Sequence, residues 1–354
     1  KFLKKHKVVP SKIKSIEDFS HLPVVTRDNY LRKYKYIDLF SKKDFFHATT
    51  FSATSGSTGE PFYFPRDGMH DSEYEYLAEI FLKNQFEIDK KKTLAVMGFA
   101  LGIWIGGIFT YKVLNKISEK GYDFTVIPVG TNRDQFLSAV LKFGKYYDQV
   151  ILMGYPPFIK DVLDEGQIRD IDWKKYNIKV LTAAEGCSER FRDYVTKEAE
   201  VKNKFTDIVN MYGTVELGTM AYETALCNLI RSIAYEKKSV FDKLFGDASN
   251  MPTLAQFHPQ VIHFEEVEGE IVASSFGSSI PLIRYSFSDL GGVIKFDDML
   301  VMLKEVGVDI KKEAKKHKID KKILKLPFVW VYGRSDLAVV FRGANIFPGE
   351  IRNG

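Results

Sequence analysis

The chain has few cysteines and no long hydrophobic run. Its only two cysteines, Cys187 and Cys227, exclude a disulfide scaffold and are typical of a reducing compartment. The most apolar stretch, Leu94–Ile108, is shorter than the roughly 20 residues that cross a bilayer, and it contains four glycines. No segment resembles a signal peptide. We therefore predict a cytoplasmic protein without a membrane span.

Charge of one sign and metal-ligand patterns are also scarce. The 51 basic and 46 acidic residues leave a net charge of +5, which is too balanced to indicate a nucleic-acid partner. Cys187, Cys227, His258 and His263 have no recognised zinc-ligand spacing, although a structural zinc among them stays an alternative. The Gly-Lys-Ser/Thr ending of nucleotide-hydrolase phosphate loops is absent, which excludes that class.

The sequence does contain enough apolar material for a large core. Hydrophobic residues make up 45% of its 354 positions, a length that predicts two or three structural units. Between residues 93 and 211, strand-like and helical segments alternate, which predicts parallel strands with helices on both faces. From residue 261 onward, short β-like runs predict a small antiparallel or barrel-like unit. We expect an α/β protein with units 1–150, 151–250 and 251–354.

The boundaries of these segments follow from apolar periodicity. Residues 246–260 are predicted to form a loop, and Met299–Lys318 a solvated, charged helical stretch. The principal predicted helices are Gly68–Ile88, Trp104–Lys120, Arg133–Tyr147, Pro157–Glu165, Ser188–Lys197 and one or two within Tyr222–Leu244. The predicted strands are Thr93–Met97, Phe124–Pro128, Gln149–Met153, Ile178–Thr182, Phe205–Met211, Val261–Glu265, Glu270–Ser274, Ile280–Tyr285, Gly292–Phe296, Phe328–Tyr332 and Leu337–Arg342.

A small polar loop, Thr54–Pro61, lies between two strand-like flanks. Its glycines permit close backbone approach, and successive N–H groups in such a loop form a concave anion site. Its hydroxyl groups add donors for a phosphate. A flexible surface loop is the structural alternative. The predicted phosphate-binding residues are Thr54, Ser55, Gly56, Ser57, Thr58 and Gly59.

Three further motifs follow the loop in order. They are Ala183–Gly186, then Tyr212-Gly213-x-x-Glu216, then Ser288–Gly291 paired with Gly333–Asp336 and Arg342-Gly343. Together with the loop, they resemble the adenylate-forming (acyl-CoA synthetase) superfamily, most closely the phenylacetate–CoA ligase-like AMP-binding proteins, over nearly the whole chain. The resemblance implies the fold of the large N-terminal domain of these enzymes, with two βα-layered sheet subdomains and a small β-barrel-like subdomain.

The resemblance also implies roles for individual residues. Tyr212 would stack on the purine, and Asp289 would accept both ribose hydroxyls. Thr214 would donate to the α-phosphate, and Glu216 would bind the Mg²⁺ that arrives with ATP. Taken singly, these residues also fit a core tyrosine, a turn aspartate and a solvated glutamate. The implied adenine- and ribose-binding residues are Ala184, Glu185, Gly186, Asn210, Met211, Tyr212, Gly213, Asp289 and Arg334, and the implied catalytic residues are Thr214 and Glu216.

The same resemblance places an acyl pocket near two stretches, 98–107 and 153–156. Glycines in the first stretch would leave room for a ligand, and aromatic side chains would form the walls. Tight helix packing with core aromatics is the alternative. The implied pocket residues are Phe99, Trp104, Gly106, Gly107 and Tyr155.

The implied activity is ATP-dependent formation of an acyl-AMP from a carboxylic acid, followed by transfer of the acyl group to CoA or a carrier thiol. A homodimer is one option for the oligomeric state, which the sequence leaves open. Two departures stand out: Phe62 occupies a position where many relatives carry lysine, and Leu337 follows Asp336 in the hinge motif. The family's adenylation lysine would lie beyond Gly354, so we expect the isolated chain to bind nucleotide but adenylate poorly. The alternatives are transfer to a protein or amine acceptor, and a non-catalytic nucleotide- or acyl-binding module.

Overall fold

Eleven strands form a single mixed sheet in the computed structural model. In chain order, the helices are α1 (Phe2–Lys5), α2 (Ile16–Ser20), α3 (Gly68–Phe86), α4 (Thr110–Ser118), α5 (Arg133–Phe143), α6 (Pro156–Ile168), α7 (Glu189–Glu198), α8 (Lys204–Asp207), α9 (Ala225–Glu236), α10 (Lys238–Phe245), α11 (Phe296–Glu305) and α12 (Ile310–Lys316). The strands are β1 (Thr50–Ala53), β2 (Tyr63–Arg66), β3 (Thr93–Met97), β4 (Phe124–Pro128), β5 (Gln149–Gly154), β6 (Ile178–Thr182), β7 (Ile208–Thr214), β8 (Gly218–Tyr222), β9 (Thr253–Gln256), β10 (Ile262–Val267), β11 (Glu270–Ser275), β12 (Leu282–Ile294), β13 (Phe328–Arg334), β14 (Val339–Phe341) and β15 (Ala344–Ile346). The structure describes residues 2–40, 44–54, 60–246, 248–275, 277–335, 339–341 and 344–346.

The sheet has a parallel half and an antiparallel half that share β7. In the parallel half the order is β4-β3-β5-β6-β7. The first residues of β7, 208–210, pair with β6, and residues 211–214 pair with the antiparallel β8. The order then continues through β9, β13, β12, β11 and β10. The strands that we assigned to separate subdomains are therefore hydrogen-bonded into one sheet, because β7 extends beyond its parallel neighbour.

Both faces of the parallel half are buried, and alternation along each strand explains how. On β3, Ala95 and Met97 pack with α3 and α4, whereas Leu94 and Val96 pack with α5, α6 and α7. Successive side chains of a strand point to opposite faces, so an uninterrupted apolar run satisfies both helical layers. The predicted α/β class is confirmed.

Helix α3 shows how local sequence sets an element's ends. The side chain of Asp67 accepts hydrogen bonds from the backbone N–H groups of Met69 and His70, which caps the helix at its first turn. At the other end, Glu87 adopts a left-handed conformation and stops the helix. The predicted helix Gly68–Ile88 therefore ends two residues early.

The region after β6 differs from prediction in three places. The predicted strand Phe205–Met211 begins at Ile208, because Asn203 accepts from the N–H of Phe205 and caps the short helix α8. Tyr222 ends β8 and does not begin a helix; α9 and α10 follow it. Strand β9 lies within residues 246–260, where we predicted only a loop.

The last third also contains longer and more buried elements than predicted. The two runs Ile280–Tyr285 and Gly292–Phe296 contain the two ends of the single strand β12, Leu282–Ile294, which pairs with β11 and β13. The charged stretch Met299–Lys318 does not form a solvated helix. It covers most of α11, the connection 306–309 and all of α12, and the apolar sides of the two helices are buried through Met299 and Leu303 and through Ile310 and Ala314.

Candidate functional site

The predicted ligand-binding residues gather at the carboxyl ends of the parallel strands. Phe99 follows β3, Tyr155 follows β5, Ala184 follows β6, and Tyr212 lies near the end of β7. These four strands are adjacent in the sheet, in the order β3-β5-β6-β7. Ligands of open α/β sheets bind at this edge. The tertiary structure thus brings together residues that are separated by more than 100 positions in the chain.

The loop after β6 is exposed and is held against β7. Ala184 adopts a left-handed backbone conformation, with φ of 74°, which is uncommon for a residue other than glycine. The side-chain amide of Asn210 donates to the carbonyl of Glu185 (3.0 Å), and its oxygen accepts from Thr182 Oγ1 (2.9 Å). The main chain of Glu185, within the predicted adenine-binding loop, therefore lies beside Asn210.

A buried network of opposite charges lies behind this loop, and sequence reasoning missed it. Glu223 accepts from the N–H of Asn210 (3.0 Å) and from Arg192 Nη2 (2.8 Å), and it pairs with Arg231. Arg231 also donates to the carbonyl of Cys187 (2.8 Å). Glu223 and both arginines are almost fully inaccessible. The network thus joins the loop after β6 to β7 through buried ion pairs.

Burial also makes the nearby thiol a poor nucleophile. Removal from solvent raises the pKa of Cys187 to about 11, and the second cysteine, Cys227, is buried as well. Among the described residues, no group of three or more His, Cys, Asp or Glu side chains is placed to hold a metal ion. The alternative zinc set, which included His258 and His263, is not assembled there.

Three predicted ribose-site residues meet across β7, β12 and β13. Tyr212 Oη donates to Asp289 Oδ2 (2.6 Å), and Arg334 Nε lies 3.9 Å from Asp289 Oδ1. Asp289 pairs directly with Arg334 in the β12–β13 ladder, so it does not lie in the turn that was its structural alternative. Burial first, and then the Asp289 carboxylate, raise the pKa of Tyr212 well above its usual value. The phenol therefore stays protonated and donates to the carboxylate.

Gly213 lets the turn after Tyr212 fold closely onto β8. A Cβ atom at this position would lie 2.6 Å from the carbonyl oxygen of Gly218, and the ladder shifts register between Tyr212 and Gly213. The hydroxyl of Thr214 accepts weakly from the N–H of Leu217 (3.4 Å). The motif thus spans the end of β7 and the tight turn into β8, with Thr214 as the last residue of the strand and Glu216 in the turn.

Glu216 is only 6% exposed, so it is not a solvated surface glutamate. Its Oε1 atom lies 3.5 Å from Arg27 Nη2 and accepts from Tyr285 Oη at 3.3 Å. A single carboxylate suits Mg²⁺ that is held mainly by ATP phosphates and water, and it does not suit a protein-only metal site. The residues present therefore fit the predicted role of Glu216.

A buried arginine and histidine brace the same turn from behind. Arg66 donates to Ser52 Oγ (3.2 Å), to His70 Nδ1 (3.2 Å) and to the carbonyl of Val215. Burial, and then the neighbouring guanidinium, lower the pKa of His70 to about 3. The imidazole is therefore neutral, and its Nε2–H donates to the carbonyl of Leu217 (2.9 Å). These contacts fix the turn to the β1–β2 hairpin.

That hairpin carries the predicted phosphate loop. The N–H of Thr54 donates to the carbonyl of Phe62 (3.0 Å), and the N–H of Phe62 donates to Thr54 Oγ1 (3.0 Å), which closes the base of the loop. Phe62 packs on Phe64 within the core that also contains Leu217. The other predicted phosphate-binding residues, Ser55, Gly56, Ser57, Thr58 and Gly59, lie outside the described residues, as do Asp336, Arg342 and Gly343 of the hinge motif.

The predicted acyl-pocket residues have different surroundings. Phe99 is buried, Trp104 is 42% exposed, and Tyr155 stacks on Phe158. A Cβ atom on Gly106 would make an ordinary 3.6 Å contact with Phe99, whereas one on Gly107 would lie 2.1 Å from the carbonyl oxygen of Ala100. Gly106 therefore leaves space beside Phe99, and Gly107 permits close backbone packing.

This difference predicts that two neighbouring glycine-to-alanine substitutions affect the free energy of unfolding differently. Gly107→Ala should lower the free energy of unfolding by about 1–2 kcal/mol, because the added methyl group overlaps a main-chain oxygen. The matched control, Gly106→Ala, should leave stability within about 0.5 kcal/mol of the wild type. Urea denaturation of both variants measures the difference. Equal stability of the two variants would contradict the assignment.

Comparisons with known proteins identify the fold. No family model matches the chain, and no curated protein matches it. Among solved structures, 2-hydroxyisobutyryl-CoA ligase in an open conformation with 2-HIB-AMP and CoA matches at a TM-score of 0.65 and 14% identity, over 99% of this chain and 73% of that chain. The same ligase in its postadenylation state gives a TM-score of 0.67 at 14% identity, over 99% and 66%. ATP-bound MatB from Rhodopseudomonas palustris gives 0.52 at 13% identity, over 86% and 52%.

The chain therefore has the fold of the large N-terminal domain of adenylate-forming enzymes, as predicted. It spans about two thirds of the length of the 2-hydroxyisobutyryl-CoA ligase in its postadenylation state and about half of MatB. None of the helices in the described part of the chain has the length and hydropathy that crossing a bilayer requires.

Proposed function

We propose that this chain is the nucleotide-binding part of an ATP-dependent acid–thiol ligase of the phenylacetate–CoA ligase-like type. It would activate an aryl or acyl carboxylic acid as the acyl-AMP, release pyrophosphate and pass the acyl group to CoA. The observation that carries the proposal is the arrangement of Asn210, Tyr212, Asp289 and Glu216 around the carboxyl end of β7. The solved ligase with the same fold, which was crystallised with 2-HIB-AMP and CoA, supports acid activation and thioester formation.

Each residue would have a distinct task in this reaction. The main-chain groups of Ala184–Gly186 and the amide of Asn210 would read the adenine edge, and the Tyr212 ring would stack on the purine. The Asp289 carboxylate would accept the ribose hydroxyls. Thr214 would donate to the α-phosphate, and the predicted phosphate loop 54–59 would hold the departing phosphates. Mg²⁺, bound with ATP beside Glu216, would offset phosphate charge.

The chemistry needs little acid–base assistance from side chains. A carboxylate oxygen of the substrate would form a bond to the α-phosphorus while the bond to the bridging oxygen breaks, and the electron pair would leave with pyrophosphate. Positioning and charge stabilisation supply most of the rate enhancement in phosphoryl-transfer reactions. The neutral His70 hydrogen-bonds the turn and is not needed as a base.

Phe99, Trp104 and Tyr155 would form the acid-binding pocket, with Gly106 providing space. Phe99 and Trp104 lie after β3 and Tyr155 lies after β5. Their position next to the proposed adenine loop after β6 supports this assignment, because the acid must reach the α-phosphate. Transfer to a protein or amine acceptor, and nucleotide or acyl binding without catalysis, are the alternatives. A cytoplasmic location and a homodimer belong to the same proposal.

A ligand screen tests the function directly. We expect ATP with Mg²⁺ to raise the melting temperature, because a ligand at 100 times its Kd stabilises the folded state by about 2.7 kcal/mol. A matching carboxylic acid should raise it further, and acid-dependent pyrophosphate release should follow for the same acid. GTP at equal concentration is the control for adenine recognition. Absence of any shift with ATP or AMP would contradict the proposal.

A further inference from the structure

The segment that precedes the phosphate loop is fixed to the antiparallel half of the sheet. The N–H of Val25 donates to the carbonyl of Arg284 (2.8 Å), and the N–H of Ser286 donates to the carbonyl of Val25 (2.9 Å). This pair forms a parallel bridge between Val25 and Tyr285. The segment therefore lies along β12, beside the side chain that contacts Glu216.

A reciprocal cap then sets the direction of the chain. The N–H of Thr26 donates to Asn29 Oδ1 (2.8 Å), and the N–H of Asn29 donates to Thr26 Oγ1 (3.1 Å). Asn29 also donates to the carbonyl of Val24 (3.0 Å). Such a capping box satisfies the first N–H groups of a helical turn, here Arg27–Leu31. Arg27 is the first residue of that turn, so its position is well determined.

The guanidinium of Arg27 lies close to the candidate metal ligand Glu216 and is more exposed than its carboxylate. Its Nη2 atom is 3.5 Å from Glu216 Oε1, and its side chain is 24% exposed, against 8% for Glu216. Arg66 is the other guanidinium near this turn, but it is fully buried and donates to Ser52 and Val215. Arg334 lies beside the ribose carboxylate Asp289. Among the guanidinium groups that the structure describes, Arg27 is thus the one best placed to meet a ligand next to Glu216.

The base of the phosphate loop lies in the same part of the core. Val25, Leu217 and Phe64 are buried in one cluster, with Phe62 and Val215 packed against it. The loop 54–61 therefore arises close to the turn that carries Glu216 and to the segment that carries Arg27. Residue 62, which closes the loop, is an apolar phenylalanine, so the loop's end supplies no cation.

We propose that Arg27 binds the terminal phosphates of ATP, as a contact of the nucleotide site supplied by the segment before the loop. The inference rests on the proposed function. When ATP binds, Arg27 exchanges its carboxylate partner for phosphate oxygens, and the Glu216 oxygen that this exchange frees is then available to the Mg²⁺ that accompanies ATP. A guanidinium suits this exchange because it keeps its charge and offers several donors in a planar fork that fits either oxyanion.

Calorimetric titrations of Arg27→Met and Arg27→Lys with ATP and with AMP test the proposal. A hydrogen bond to a charged group contributes enough to change Kd about 10- to 100-fold. We expect Arg27→Met to weaken ATP binding by this factor, with and without Mg²⁺, and to leave AMP binding within about threefold of the wild type. Arg27→Lys should recover part of the loss, because it keeps the charge without the fork.

Arg32→Met is the matched control, since Arg32 lies in the same segment and pairs on the surface with Asp28 (3.1 Å); its ATP affinity should not change. Equal weakening of ATP and AMP, or a loss confined to solutions with Mg²⁺, would show that Arg27 only positions Glu216, and would overturn the direct contact. Unchanged ATP affinity would also overturn it while leaving the proposed function intact. Wild-type protein that binds neither nucleotide would overturn both.

Discussion

Replacing Glu223 with alanine should lower the free energy of unfolding by about 3–5 kcal/mol, because removing one member of a buried ion pair leaves uncompensated charge in the interior. Glu223 is fully inaccessible and contacts both Arg192 and Arg231, whereas the buried carboxylate of Glu189 approaches the same two arginines only at 3.5 Å. Its loss also removes the acceptor for the N–H of Asn210. Both guanidinium groups would then remain in the core with one fewer anion.

The buried network also links stability to nucleotide affinity. Arg231 donates to the carbonyl of Cys187 at the end of the proposed adenine loop, so a shift of this arginine should displace the loop. We therefore expect the milder Glu223→Gln variant, which keeps the side-chain volume, to bind AMP more weakly than the wild type at a temperature where it is fully folded.

Urea denaturation and AMP titration measure these two effects. Glu236→Ala is the control, because Glu236 is an exposed residue at the end of α9. This substitution should change the free energy of unfolding by no more than about 0.5 kcal/mol. A loss below about 1 kcal/mol for Glu223→Ala would mean that the cluster hydrates or rearranges and does not act as a charge network.

Replacing Asp289 with alanine should weaken ATP and AMP binding alike, by about 1.5–3 kcal/mol, which corresponds to roughly 10- to 150-fold in Kd. The reason is that the carboxylate is the proposed acceptor for the ribose, a part that both nucleotides share. Tyr212 Oη and Arg334 Nε both approach this carboxylate, so its orientation is set before a nucleotide arrives.

Tyr212→Phe provides the matched control for this prediction. It removes the hydroxyl that donates to Asp289 and keeps both the ring and the carboxylate, so we expect less than about a fivefold change in AMP affinity. Isothermal titration of both variants, with melting temperatures as a check on folding, measures the contrast. An Asp289→Ala variant with wild-type affinity would show that the ribose lies elsewhere. The contrast with Arg27 is also informative, since Arg27→Met should spare AMP.

The sequence alone determined the fold class and the order of the motifs along the chain. Both depend on local patterns: apolar runs such as Thr93–Met97 that are long enough for a buried strand, capping residues such as Asp67, and short motifs such as Tyr212–Glu216. The predicted strands in the parallel half before β7 agree with the structure nearly residue by residue, because burial on both faces demands an uninterrupted apolar run.

Local pattern was insufficient where an element depends on its partners. The polar residues 246–260 do not have the composition of a strand, yet β9 forms there because β13 pairs with it. The two glycines in β12 suggested a break, but the strand continues because β13 pairs with both of them. The different roles of Gly106 and Gly107 likewise depend on what a Cβ atom at each position would touch.

Only the tertiary structure decided which hydrogen-bond partners the charged side chains contact. Arg27 and Glu216 are 189 positions apart, Arg66 and Val215 are 149 apart, and Tyr212 and Asp289 are 77 apart. A buried arginine and an exposed arginine look alike in a sequence, because the free energy of each depends on the acceptors that the fold places around it. The motifs identified the residues of the candidate site. Long-range packing determined which contacts support those residues and which other cationic side chains lie near them.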